Sequence, residues 1–91
     1  MKYRIGDKVR IRKDSEYYGE HEYYNPANLV GEIIDIRLKG QYPYKVQWYI
    51  YADNNYRESD LEFWGHPIND LNKLLYPDYI EENGLLVPKN N

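Results

Sequence analysis

The chain has 91 residues, a formal net charge of -3, no cysteine and twelve tyrosines. That length holds one domain with one core, and the lack of cysteine excludes a disulfide framework and the thiolate-based zinc modules. Charge is segregated along the chain: residues 1–14 carry +4, 15–36 carry -5, 37–57 carry +3 and 58–91 carry -5, so a fold that joins the basic blocks makes a bipolar surface on a mildly acidic molecule.

The opening Met1-Lys2-Tyr3-Arg4-Ile5-Gly6-Asp7 runs into charge without an apolar stretch of signal-peptide length, and no later segment approaches a membrane span. The expected location is therefore the cytoplasm, with no membrane partner. Gly6-Asp7 marks a turn. Lys8-Val9-Arg10-Ile11-Arg12 alternates strictly and predicts a half-buried strand with Val9 and Ile11 inward. Residues 14–29 lack periodicity and predict a long loop, of a length that is usually functional or disordered. Residues 31–38 read as a second strand, with Ile34, Ile36 and Leu38 on one face and Ile33 on the other. After a turn within 39–43, residues 44–51 alternate again, placing Val46, Trp48 and Ile50 inward and Lys45, Gln47, Tyr49 and Tyr51 outward. Asp53-Asn54-Asn55 predicts a hairpin turn, residues 56–58 a short return strand, and residues 59–63 one helical turn leading into a last strand.

Beyond Trp64 the period changes. Ile68, Leu71, Leu74 and Leu75 recur at helical spacing between Pro67 and Pro77, which predicts one short amphipathic helix over 67–76. A turn over 77–82 ended by Asn83-Gly84 and a strand-length apolar run, Leu85-Leu86-Val87, complete the chain's pattern. The helical stripe needs a cover, either the rest of the fold or a second copy, so a monomer or weak dimer is expected.

The order Gly6-Asp7-Lys8-Val9-Arg10-Ile11, a Tyr-rich insert, Gly31-Glu32-Ile33-Ile34-Asp35-Ile36, Tyr44-Lys45-Val46-Gln47-Trp48 and Ser59-Asp60-Leu61-Glu62 resembles SH3-like small barrels of the Mind-bomb, Tudor and KOW group. It also resembles small phage and prophage proteins that begin with the same glycine-aspartate strand and end the barrel with an acidic-leucine turn. The likeness covers residues 3–64. It implies a mainly β fold, an SH3-like barrel of about five strands over 1–64, with 65–91 as a C-terminal extension carrying one short amphipathic helix. A more distant likeness, to the small barrel of the nitrile hydratase beta subunit, carries no catalytic residue onto this chain.

For chemistry, His21 and His66, the carboxylates and the tyrosines fall in no nucleophile, phosphate or metal motif. Glu20-His21-Glu22 alone clusters possible ligands, and consecutive loop residues do not easily converge on one ion. The expectation is no enzyme, no metal and no cofactor.

Two surfaces compete for a binding role. Tyr17, Tyr18, Tyr23 and Tyr24 form two pairs in a segment that has five acids from Glu16 to Asp35 and no Lys or Arg. Together with Tyr49 and Tyr51 they suit a protein contact, because tyrosine offers stiff, amphipathic area. The resemblance to Tudor barrels implies an aromatic cage for a methylated cation. The structural alternative is that the rings cap the open end of a small barrel. The second surface is a basic row, Lys8, Arg10, Arg12, Arg37 and Lys45, which would suit the phosphates of a nucleic acid. Glu32 and Asp35 are expected on the same outward face, and cross-strand ion pairing explains that row equally well. The leading expectation is a non-enzymatic protein-interaction domain of a phage or mobile-element accessory protein that engages a host factor. A nucleic-acid-binding barrel is the alternative, and an acidic stoichiometric inhibitor of a host nucleic-acid-directed defence system is a further one, suggested by the -5 block at 58–91.

Overall fold

A computed structural model describes residues 2–82 and 84–89. Its class is mainly β: among the described residues there are eight strands in two antiparallel sheets and one short helix. The first sheet contains β1 (Lys8–Ile11), β2 (Gly31–Ile36), β3 (Tyr44–Tyr49), β4 (Ala52–Tyr56) and β5 (Leu61–Phe63), in the order β4-β3-β2-β1-β5. A single 3-10 turn, Glu58–Asp60, leads into β5. The sheet is open, with β4 and β5 as its edges.

The core follows from the alternation of β1 and β3. Val9, Ile11, Val46 and Trp48 are buried, and Leu61 of β5 closes over them. Three tyrosines, Tyr3, Tyr44 and Tyr56, are fully buried among these aliphatic side chains. Each hydroxyl is satisfied: Tyr3 donates to the Leu61 carbonyl at 2.8 Å, Tyr44 to Glu58 at 3.1 Å, and Tyr56 to the Tyr24 carbonyl at 2.8 Å. Burying the rings without their hydroxyl partners would forfeit much of the gain, since an unpaired buried hydroxyl costs about 1–3 kcal/mol. Gly31 is required here for space, because a Cβ at that position would sit 2.5 Å from the Trp48 ring.

Two β-bulges overturn part of the expected inward set. In β2, Ile33 pairs with Val46 but Asp35 pairs with Lys45, so Ile34 is the extra residue. An extra residue reverses the alternation. Ile33 is therefore fully buried, Ile36 packs on the core beyond the bulge, and Ile34 is only half-buried. Leu38 lies past the strand end and is exposed. In β3, Gln47 pairs with Asp53 and Tyr49 with Ala52. The strand then stops, and Ile50 stands exposed in the connection instead of inside. The hairpin tip is consequently Ile50-Tyr51, and Asp53-Asn54-Asn55, expected as the turn, lies within β4.

The second sheet contains β6 (His66–Pro67), β7 (Tyr79–Glu82) and β8 (Leu85–Pro88), in the order β6-β8-β7, with α1 (Asp70–Leu75) between β6 and β7. The expected strand at Leu85-Leu86-Val87 is β8, whereas of the turn expected over 77–82 only residues 77–78 turn and Tyr79–Glu82 form strand β7. Asn83, half of the expected Asn83-Gly84 turn, lies outside the described residues. The helix starts later than the apolar spacing suggests, because Asn69 caps it by accepting from the Asn72 amide at 2.8 Å, and Pro67 belongs to β6. Leu86 and Val87 are buried against Gly65, whose missing Cβ lets the β8 backbone approach. No helix among the described residues is long and apolar enough to cross a membrane.

Candidate functional site

The long loop between β1 and β2 is tied down at two points, and those ties decide which tyrosines are available. At its start, the buried Asp60 carboxylate accepts from the Ser15 hydroxyl at 2.9 Å and from three Arg57 nitrogens, the backbone amide and two of the guanidinium, at 3.0 Å each. Arg57 also reaches Glu16 at 2.5 Å. Burial pushes the Asp60 carboxyl up, but the combined hydrogen bonds from Arg57 and Ser15 hold it below its ordinary range. The adjacent Tyr17 and Tyr18 turn inward and pack against the core. Tyr17 shares a 2.7 Å hydrogen bond with the Tyr42 hydroxyl and lies edge-on to Tyr56. That hydroxyl pairing, with partial burial, pushes the Tyr17 phenol up to about 12.

The second tie is a buried polar network. The Trp48 indole donates to the Tyr56 hydroxyl at 2.9 Å, and Tyr56 in turn faces the Tyr24 carbonyl and Asn25 Oδ1, both at 2.8 Å. Asn54 donates to Asn25 Oδ1 at 2.9 Å, and Asn25 donates to the Glu20 carbonyl at 2.7 Å. Asn25 and Tyr56 thus fix the backbone of Tyr24 over β4, which leaves the Tyr23 and Tyr24 rings outside, each 51% exposed. Tyr23 stacks on Tyr49 of β3 at 5.3 Å with 12° between the planes, and Tyr24 meets Tyr23 edge-on at 5.1 Å. Beside them Ile50 and Tyr51 project from the hairpin tip, 81% and 89% exposed. Two-residue hairpin tips usually hold Asn, Gly or Asp, so an isoleucine and a tyrosine there gain nothing from the fold itself. Tyr23, Tyr49, Ile50 and Tyr51 border an open groove of about 1060 Å³, with Trp48, Val30, Lys8 and Glu32 also in its lining.

Of the six tyrosines expected on the surface, the structure brings together Tyr23, Tyr24, Tyr49 and Tyr51 and separates Tyr17 and Tyr18, which serve the core. Ile50 belongs to the exposed cluster although its alternation points it inward. The near-parallel stacking of Tyr23 on Tyr49 fills the space a cation would need between those two rings, which argues against a cage at that pair.

Each member of the basic row has an acid beside it. Lys8 pairs with Glu32 directly across β1 and β2, and Arg10 with Glu62 across β1 and β5 at 2.6 Å. Arg12 holds Asp14 at 2.9 Å, Arg37 lies 3.8 Å from Asp35, and Lys45 lies 3.9 Å from Asp53. Arg37 stands beyond the end of β2 and Lys45 two strands from β1, so the row is not one continuous stripe. Among the described residues no group of three or more His, Cys, Asp and Glu is placed to hold a metal, and His21 of the Glu20-His21-Glu22 run is solvent-exposed.

The fold and this site define a small mainly β protein with an open antiparallel sheet, a tethered aromatic loop and an exposed ring cluster. In fold it is similar to the Bacillus subtilis protein YorP, whose NMR structure aligns at a TM-score of 0.55 with 19% identity, over 77% of this chain and 79% of that one. No family model matches the sequence, and no curated protein is significantly similar to it.

Proposed function

We propose that this protein is a non-enzymatic binding module, a protein-interaction domain whose docking surface is the cluster of Tyr23, Tyr24, Tyr49, Ile50 and Tyr51. The observation that carries the reading is the stacked Tyr23–Tyr49 pair beside a hairpin tip of two exposed apolar residues. Such an assembly offers rigid aromatic area of the kind that anchors protein contacts. The loop that presents it is held by buried hydrogen bonds, so little ordering entropy opposes binding. In this reading the five-stranded sheet is an SH3-like barrel. Its support is the strand order β4-β3-β2-β1-β5, with a long loop after β1 and a 3-10 turn before β5. The resemblance to phage and prophage barrels adds that the chain is an accessory protein of a mobile element and that its partner is a host factor.

A second reading, single-stranded nucleic acid on the same groove, has one observation in its favour: Lys8 lines the groove beside rings that could stack with bases. Its pairing with Glu32 counts against it.

The experiment is capture of partners by tagged chain from host lysate, before and after nuclease, with two variants. Tyr23→Ser/Tyr49→Ser/Tyr51→Ser is expected to lose a protein partner that survives nuclease and depends weakly on salt. The basic variant Lys8→Gln/Arg10→Gln/Lys45→Gln is expected to keep it. A partner that disappears with nuclease, weakens steeply with salt and is lost in the basic variant overturns the proposal in favour of nucleic acid.

A further inference from the structure

The helix α1 buries none of its residues. Leu71, Leu74 and Leu75 share one face by their spacing of three and four, and they are 63%, 80% and 59% exposed. The helix is held from its other flank. Lys73 reaches Glu81 of β7 at 3.8 Å, and Tyr76, just past the helix end, stacks on His66 at 4.0 Å and meets Tyr79 at 4.8 Å. His66 and Glu81 both lie opposite Leu86 in the sheet register, so these contacts share one face of the second sheet. A leucine stripe is thereby left to solvent on a helix that is nonetheless anchored, capped by Asn69 at one end and by the aromatic stack at the other.

Charge decides what can cover that stripe. Asp70 lies one turn before Leu74, Asp78 follows the helix, and neither has an ion-pair partner among the described residues, while the one cation of the helix, Lys73, is already paired with Glu81. Residues 65–91, which hold the helix and the second sheet, carry -2. A second copy would set these acids against its own, and a nucleic acid or an anionic membrane would meet the same repulsion. A cationic partner is attracted. We infer that the Leu71/Leu74/Leu75 face docks a basic amphipathic segment of a partner protein, one that presents an apolar stripe with lysine or arginine beside it. The surface is built from elements other than those of the aromatic groove and does not depend on that reading.

The test is fluorescence anisotropy of a labelled synthetic peptide of leucines and lysines at helical spacing, titrated with the full chain. Leu71→Ser/Leu74→Ser/Leu75→Ser is expected to bind it roughly tenfold or more weakly, because the anchors are gone. These leucines are exposed, so circular dichroism should show the fold intact. Asp70→Asn/Asp78→Asn keeps the leucines and is expected to bind about threefold more weakly at low salt, a difference that shrinks as salt rises. Tyr23→Ser/Tyr49→Ser should bind as wild type, and a leucine–glutamate peptide should not bind. Unchanged affinity in the leucine variant overturns the inference, as does loss of binding in the tyrosine variant. So would a wild-type dimer in light scattering that the leucine variant turns to monomer, or leucine-dependent binding to phosphatidylserine vesicles.

Discussion

Tyr17 and Tyr23 belong to the same loop and differ little in sequence context, since each is followed directly by a second tyrosine. Tyr17 lies between Tyr42 and Tyr56 with its hydroxyl bonded, whereas Tyr23 lies flat on Tyr49 at the surface. The difference originates in the anchors beside them. Ser15 and Glu16 are drawn to Asp60 and Arg57, which pulls the first pair down onto the sheet. Asn25 is drawn to Tyr56 and Asn54, which holds the backbone under the second pair and leaves its rings outside. Exposure of an aromatic residue is thus set by where its polar neighbours are buried.

The sharpest way to break this contrast is to remove what both pairs rest on. Trp48→Ala takes away the ring that packs against Gly31 and the donor to Tyr56. It is expected to cost about 3–5 kcal/mol in urea denaturation, and to release the second pair by dissolving the network under Tyr24. A Trp48→Ala protein as stable as wild type would remove that network from the explanation.

Asp60→Asn acts on the first anchor alone. The expected loss is on the order of 2–3 kcal/mol, because a buried hydrogen-bonded carboxylate is neutralised and Arg57 keeps only Glu16. The folded carboxyl is held below its ordinary 3.8, so its stabilisation is full above that value and is lost as pH falls through the lower folded value. The variant should therefore show a flatter acid limb in stability measured against pH, with Tyr23 and Tyr49 unaffected.

Tyr56→Phe tests the second anchor at smaller cost, about 1–2 kcal/mol, by leaving the Trp48 N–H and Asn25 without their shared partner. Burial raises the Tyr3 and Tyr56 phenols well above their ordinary 10.0. In the unfolded chain both would ionise near that value and release protons that the folded chain keeps, so stability falls as pH climbs past it. Phenolate absorbance should rise together with unfolding in wild type, and Tyr56→Phe should reduce the slope of the alkaline limb.

The smallest expected effect separates surface from core. Tyr23→Ser/Tyr49→Ser should change stability by about 0.5 kcal/mol or less, the usual range for exposed positions, while removing the docking surface. A large destabilisation in urea would place those rings with Tyr17 as structural elements.

By itself the sequence determined the class of fold and the strands β1, β3, β5 and β8, because strict alternation in Lys8–Ile11 and Tyr44–Tyr49 leaves one face for the core whatever the rest of the chain does. It also marked one helical turn within 59–63 before the last strand of the first sheet, observed as the 3-10 turn Glu58–Asp60, and the tyrosine pairs as unusual for a loop. What only the tertiary structure decided are features that depend on partners distant in sequence. The bulge at Ile34 is a mismatch between two strands and leaves no trace in β2 alone, so the inward residue became Ile33. Period two continues through Ile50 and points it inward, but the hairpin with β4 closes one residue earlier. The burial of Tyr3, Tyr44 and Tyr56 rests on acceptors at Leu61, Glu58 and Asn25, which no local pattern announces. The division of the loop tyrosines into core and surface likewise depends on Asp60 and Asn25, whose hydrogen bonds join positions that only folding brings together.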